Sequence, residues 1–343
     1  LKGIDPIEDR SRRRAAAQAQ KERDAEHSFR RVAEELLQAK ASGWRNDKHK
    51  QQWHNTLATY VFPKFGDVPV CEVTVDHVLS ALRPIWTLKP ETASRTRGRI
   101  EKVLAVAKTL RLREGENPAA WRGNLENLLP NPASIQGKLR GHHPALPWDQ
   151  APSFYKALIE RGGMDAIALR LCMLTAARTG EILGMRWGEL DFDQRVWTVP
   201  AVRMKGGREH RQPLSSAATA LLATLEPAGD GPQSFVFPGQ RTGKSLSGMS
   251  LAMLLRRMNR KAAGQEHRWI DYQTGKPITV HGMRSTFRDW AGETTGHSVA
   301  VIEAQLAHKL RNKTEAAYAR GDLLSKRAAL MEAWAEYCTQ GAS

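Results

Sequence analysis

Apolar side chains at Phe29, Val32, Ala33, Leu36 and Leu37 recur at the i, i+3, i+4, i+7, i+8 spacing of one buried helix face, and Ser28 stands where a cap belongs. A second helix is predicted over 48–61. It carries Trp53, Leu57, Tyr60 and Val61 and stops before Pro63. Phe65-Gly66-Asp67 marks a turn, Thr74 caps a third helix running to Trp86, and a fourth spans about 91–112 with Ile100, Val103, Leu104 and Ala107 on its inner face. Four helices without a strand signal predict a small helical bundle over 28–113. Residues 5–27 are charged and nearly free of large apolar side chains, so 1–27 is expected to be an exposed helix or linker.

Residues 114–147 are rich in Gly, Pro and Asn, which places a linker at 114–144 and a second domain over 145–343. That domain opens with predicted helices at 148–161, 165–175 and 180–186. The period then changes. Residues 196–199 and 201–204 read as short strands, Gly206-Gly207 as a tight turn, and 209–213 as the returning strand. Helices follow near 215–225 and 247–263, after Thr279, and to the end, with a short segment at 235–237. The expected fold class is mainly α with a small antiparallel β-sheet: a helical domain followed by an α+β domain.

Charge narrows the partners. The chain has 343 residues, 52 Lys+Arg against 36 Asp+Glu, a formal net charge of +16 and a pI of about 10.0. Residues 1–140 hold 26 basic against 17 acidic side chains and the remainder 26 against 19, so both halves fit a polyanion. Arg95, Arg97, Arg99 and Lys102 gather on the fourth helix as candidate DNA-binding residues. Three distant cysteines, Cys71, Cys172 and Cys338, suggest neither a disulfide framework nor a structural zinc site, and fit reduced thiols in a cytoplasmic compartment. No run of 18 apolar residues suggests a membrane span. The start, Leu1-Lys2-Gly3-Ile4, has neither a signal peptide nor an initiator Met, and reads as cut from something longer.

Breaking a DNA strand by phosphoryl transfer needs an in-line nucleophile, cations for the charge gained at phosphorus, and acid–base groups for the protons. Arg178 and Arg284 suit the phosphate, because guanidinium stays charged and binds two oxygens at once. Glu181, three residues after Arg178, is placed to orient it. His281 and Arg284 share a helix face at i, i+3, and Thr279 is placed to cap that helix. Lys205 at the predicted hairpin tip suits protonation of the leaving 5′ oxygen, although Lys-Gly-Gly is also a common turn. His308 offers a hydrogen bond to a phosphate oxygen. Tyr318 lies among Ala316, Ala317 and Ala319, with Arg311, Lys313 and Arg320 nearby. Taken singly, each of these residues has a bland account as surface charge, cap or core. Their order along the chain carries the weight.

That order, Ala177-Arg178-Thr179-Gly180-Glu181, Met204-Lys205, His281-Gly282-Met283-Arg284, Leu306-Ala307-His308 and Ala317-Tyr318, resembles the tyrosine recombinase (phage integrase) family over about 140–340. Tyr60-Val61-Phe62-Pro63, Arg83-Pro84-Ile85-Trp86 and Lys89-Pro90-Glu91-Thr92 are similar to the core-binding domain of prophage and genomic-island integrases. Leu1-Lys2-Gly3-Ile4-Asp5-Pro6 is similar to the end of their arm-binding domain, which is missing from this chain. The resemblance implies a homotetramer acting on double-stranded attachment sites. It implies a covalent 3′-phosphotyrosine formed by Tyr318 and resealed without ATP, metal or other cofactor, and it allows for a directionality factor and a DNA-bending protein. Basic charge in both halves, with Arg95, Arg97, Arg99 and Lys102 on one helix, predicts that the two domains clamp one duplex. The competing expectations are a type IB topoisomerase-like strand breaker and a DNA-binding regulator that does not cut.

Overall fold

The computed structural model describes residues 10–15, 27–40, 47–139, 143–227, 231–260, 269–308 and 321–341. Tyr318, Arg311, Lys313, Arg320 and most of the 1–27 segment lie outside the described residues. The chain divides into two compact units, Leu1–Arg140 and Gly141–Ser343.

The first unit is helical. Helix α1 (Phe29–Ala39) starts at Ser28, whose hydroxyl accepts from the Arg31 N–H at 3.4 Å. It buries Phe29, Val32, Ala33, Leu36 and Leu37, the five positions of the predicted face. Helix α2 (Asp47–Tyr60) is followed by a single turn, α3 (Phe62–Phe65), with Pro63 in its first turn, where a missing N–H costs nothing. Helix α4 (Val75–Trp86) is capped reciprocally by Thr74 and His77, and α5 (Pro90–Thr109) is the longest element of the unit. Their inner faces meet in one core around Phe65, Leu82, Ile100 and Leu104. Burying each such side chain contributes about 1.5–3 kcal/mol.

The expected linker at 114–144 is a correction. Ala119 and Leu125 are fully buried in this first core and Leu129 is nearly so. Trp121 stacks on Trp86 with ring centroids 5.7 Å apart, and the Trp86 indole N–H donates to the Pro130 carbonyl at 2.9 Å. A further helix, α6 (Pro132–Leu139), lies against α5. The Gly, Pro and Asn residues do make turns, but the apolar side chains between them close the bundle.

The second unit surrounds α8 (Met164–Thr175), which is apolar on nearly every face because α7 (Ala151–Arg161), α10 (Ser216–Ala223), α11 (Ser250–Met258), α12 (Gly282–Thr294) and α14 (Leu324–Thr339) all pack on it. Between them lie a five-residue helix, α9 (Thr179–Leu183), and α13 (Val299–Gln305). A three-stranded antiparallel sheet runs β1 (Leu190–Asp191), β2 (Val196–Val199), β3 (His210–Pro213), with Leu190 opposite Trp197 and Val199 opposite His210. Residues 201–204 are turns rather than a strand. Pro200 ends β2, and the Arg203 and Met204 N–H groups bond back to Pro200 and Ala201 at 3.0 and 3.2 Å. The connection from β2 to β3 is therefore a long excursion over 200–209 with Gly207 at φ +67°, not a tight hairpin. Residues 235–237 form one isolated bridge to Arg186 instead of a strand.

Candidate active site

Two left-handed alanines shape the site. Helix α8 ends at Ala176 (φ 50°), and the turn after α13 passes through Ala307 (φ 47°). Non-glycine residues rarely adopt this conformation. Here it aims the carbonyls of Ala176 and Leu306 at one side chain, that of Arg284 in the first turn of α12. Its Nη1 donates to the Ala176 carbonyl and its Nη2 to the Leu306 carbonyl at 2.5 Å. Arg284 is almost wholly buried, and burial first, then the charge of Arg178, lowers its pKa from 12.5 to about 10. It therefore remains a cation at neutral pH.

Arg178 follows Ala177 at the start of α9. Glu181 holds it twice: one carboxylate oxygen accepts from the Arg178 backbone N–H at 2.8 Å, the other from Nη1 at 2.8 Å. The same contact caps α9. Arg178 keeps 23% of its side chain exposed while Glu181 keeps 7%, so the carboxylate is spent on orientation and the guanidinium faces outward. Arg178 Nη2 reaches the Leu306 carbonyl at 3.4 Å, the oxygen that Arg284 also binds.

His308 stands two residues beyond that carbonyl. Its Nδ1 is 2.6 Å from Glu303, whose other oxygen accepts from Arg288 Nε at 2.8 Å, and its Nε2 lies 3.4 Å from Arg284 Nη2. Burial alone would push the Glu303 carboxyl up. The hydrogen bonds from Arg288 and His308 outweigh it and hold Glu303 below the usual range. With Nδ1 committed to Glu303, Nε2 is the ring atom left for a ligand.

Arg178, Lys205, His308 and His143 line one cavity of about 1280 Å³. Lys205 is exposed on the 200–209 excursion. His281 is exposed at the start of α12, and Thr279 accepts from the Gly282 N–H at 3.0 Å, giving the turn its cap. Although His281 is exposed, it loses its proton more readily than a free imidazole, chiefly through partial loss of water around the ring and then through the positive charge of His143, Arg284, Arg178 and His308. The structure thus gathers Arg178, Glu181, Lys205, His281, Arg284 and His308 in one place.

The four candidate DNA-binding residues of the first unit do not form one exposed stripe, which corrects the sequence reading. Arg95 and Lys102 are exposed, the former paired with Glu91. Arg97 points elsewhere, to Glu101 and the Ala119 carbonyl at 2.8 and 2.7 Å. Arg99 is buried, donating to the Gln52 carbonyl at 2.7 Å beside the Trp53 ring. Helix α2 covers it.

Two further residues stand near the site, of which the sequence reading missed Arg327. Arg327 is 1% exposed and binds Gln305 Oε1, the Asp322 carbonyl and the Arg211 carbonyl, tying α14 to α13 and β3. Its signal was present: it falls on the apolar stripe Leu330, Met331, Trp334. His210 on β3 is the other. Burial first, then Arg327, lowers its pKa from 6.5 to about 4. The unfolded chain therefore takes up a proton that the fold refuses, and stability falls as pH drops from about 6.5 toward 4. His210→Asn is expected to remove about 2 kcal/mol of the stability lost between pH 8 and 5. Denaturant unfolding of both proteins at the two pH values checks this, and equal losses would mean His210 is not held neutral.

Among the described residues, no group of three or more His, Cys, Asp or Glu is placed to hold a metal ion, and no helix is long and apolar enough to cross a membrane.

Known proteins resemble this chain. Residues 29–124 match the phage integrase central domain and residues 145–323 the phage integrase family. Prophage integrase IntZ of Escherichia coli (strain K12) is 31% identical over 97% of this chain and 76% of its own length. The integrase of Enterobacteria phage P4 is 28% identical over 98% of this chain and 74% of its own. The chain thus spans about three-quarters of these relatives. Among solved structures, a lambda integrase tetramer bound to a Holliday junction shares the fold with a TM-score of 0.62 at 16% identity, over 91% of this chain and 83% of that one.

A helical unit followed by a mainly helical unit with a small antiparallel sheet is the architecture of the tyrosine recombinases. The chain belongs to the phage integrase family and is a site-specific recombinase.

Proposed function

We propose that the cavity seats the scissile phosphodiester of a double-stranded attachment site, and that this enzyme integrates and excises a mobile element. Arg178 and Arg284 bind the non-bridging oxygens, and His308, whose Nδ1–H is given to Glu303, donates from Nε2 in its doubly protonated form. Tyr318 attacks phosphorus, forming the phosphotyrosine bond as the bond to the 5′ oxygen breaks. His281 handles the phenolic proton, and Lys205 supplies a proton to the leaving oxygen. The 5′-hydroxyl of a partner strand then reverses the step. The new covalent bond conserves the energy of the old one, so nothing in the cycle requires ATP.

One observation carries this reading. The Leu306 carbonyl accepts from both guanidiniums and lies two residues from His308, so three phosphate-binding groups converge on one point. The match to prophage integrases along nearly the whole chain supports an integrase over a topoisomerase-like breaker or a non-cutting regulator. The tetramer in the lambda integrase structure supports a homotetramer on two duplexes. The first unit serves as core-binding domain, and the second as catalytic domain. A directionality factor and a DNA-bending protein are further partners in this reading, which places the enzyme at the bacterial nucleoid.

Lys205 provides a chemical test. A 5′-bridging sulfur leaves without needing a proton. Lys205→Ala is expected to cleave ordinary attachment-site DNA slowly and the thiolate substrate at close to the parent rate. Equal defects on both substrates would take the proton-donor role from Lys205 and leave Arg208 or His210 to consider.

A further inference from the structure

The expected linker ends at Pro144, in Gly141-His142-His143-Pro144, yet residues 144–146 are fastened to α12 and to the residues before it at several points. The Pro144 carbonyl accepts from the Thr279 N–H at 2.9 Å and from its hydroxyl at 3.2 Å. The Ala145 N–H donates to Asp271 at 2.8 Å, and the Thr286 hydroxyl donates to the Leu146 carbonyl at 2.7 Å. Gly282 lies so close beneath this strand that an added Cβ would collide with the Pro144 carbonyl and sit 2.8 Å from the Ala145 Cα. The glycine between His281 and Arg284 is thus required by the approach of 144–145. One result of this fastening is the position of His143. Its ring meets the His281 ring edge to face with centroids 4.6 Å apart, and it lines the cavity with Arg178, Lys205 and His308.

We propose that His143 is a positioning residue of the active site, which fixes the ring of His281 and keeps that ring ready to accept a proton. The proposal rests on the reading of His281 as an acid–base group. The contact acts in two ways. Ring packing removes water from one side of His281, and a second imidazole beside it disfavours a second positive charge. His281 also faces Arg284 on its own helix, Arg178 from the start of α9 and His308 beyond α13, all of which act in the same direction. Lys205 on the 200–209 excursion shares the cavity with four carboxylates, of which Glu303 is engaged by His308 and Arg288, Asp271 by the Ala145 N–H and Glu293 by the Trp148 indole, with Asp289 the fourth. An imidazole kept neutral in the free enzyme is in the form needed to accept the nucleophile's proton. The arriving phosphodiester supplies the negative charge that then favours the imidazolium.

The test uses the whole chain and two readouts. Imidazole resonances are followed by NMR from pH 8 to 5 in the parent, in His143→Phe, which keeps an aromatic ring without a charge, and in His143→Gln. Adduct formation on nicked attachment-site DNA is measured over the same range. The expected result is an upward shift of the His281 midpoint in both variants. The acidic limb of adduct formation should move upward with it, because neutral His281 is then reached only at higher pH. His143 is exposed, so both variants are expected to fold. An unchanged His281 midpoint overturns the proposal, including the case where the rate falls uniformly at every pH. A His281→Phe protein with undiminished cleavage would instead overturn the acid–base reading, and the midpoint shift would still judge the His143 contact separately.

Discussion

Tyr318→Phe is expected to bind attachment-site DNA with unchanged affinity and to form no covalent protein–DNA adduct. The substitution removes one oxygen and keeps the ring. Affinity comes from cations on both units, which release counterions from many phosphates, and a phenol adds little to that. The chemistry has no substitute nucleophile among the other four tyrosines of the chain. Tyr60 belongs to the first unit, whereas Arg178 and Arg284 belong to the second. Tyr155 is 2% exposed, and burial makes its phenol harder to ionise. Tyr337 is likewise pushed up, and stacks with Trp290 and Trp334. Tyr272 is the serious competitor, since it is exposed and lines the cavity, but Gln150 engages its hydroxyl. Trapping on a nicked duplex, followed by denaturing electrophoresis, separates the candidates. Adduct persisting in Tyr318→Phe and vanishing in Tyr272→Phe would reassign the nucleophile.

What could be read from the sequence had a local cause. The face Phe29, Val32, Ala33, Leu36 and Leu37 was legible because a helix repeats every 3.6 residues. His281 and Arg284 were legible as a pair because the i, i+3 spacing puts both on one helix face. What escaped depends on distant partners. Nothing in Ala176 or Ala307 announces a left-handed turn, yet these two residues aim the carbonyls that fix Arg284. Arg97 and Arg99 look alike on paper. One meets Ala119 from the segment beyond the helix, and the other is covered by α2, so neither joins the surface that Arg95 and Lys102 share. Residues 114–130 have the Gly, Pro and Asn of a linker, and only Trp121 and Leu125 hint that they close a core. The two-residue strand β1 is too short to show a period at all. His143 disappeared into the same linker composition, although its place is fixed by Gly282, a residue the motif does name.

Removing either guanidinium is expected to lower cleavage by about 10²–10³-fold at saturating DNA, the scale for losing one donor to a transition-state oxyanion. Affinity should fall far less, because the other phosphates of the duplex keep their contacts. The structure separates the two variants by stability. Arg284→Ala strands the Ala176 carbonyl and leaves the Leu306 carbonyl only its longer bond from Arg178, and an unmade buried hydrogen bond costs about 1–3 kcal/mol. Arg178→Ala leaves the Glu181 carboxylate with its bond from the Arg178 backbone N–H, and the more exposed side chain gives up fewer contacts. Arg284→Ala should therefore melt measurably earlier than Arg178→Ala while both cleave slowly. Because both guanidiniums bind the Leu306 carbonyl, their losses should not add in the double variant, which should fall short of the product of the two singles. Single-turnover adduct formation, DNA affinity and thermal melting on the three proteins decide the matter. Near-parent cleavage in both single variants would take the pair out of transition-state stabilisation. A strictly multiplicative double variant would mean that the shared carbonyl does not couple them.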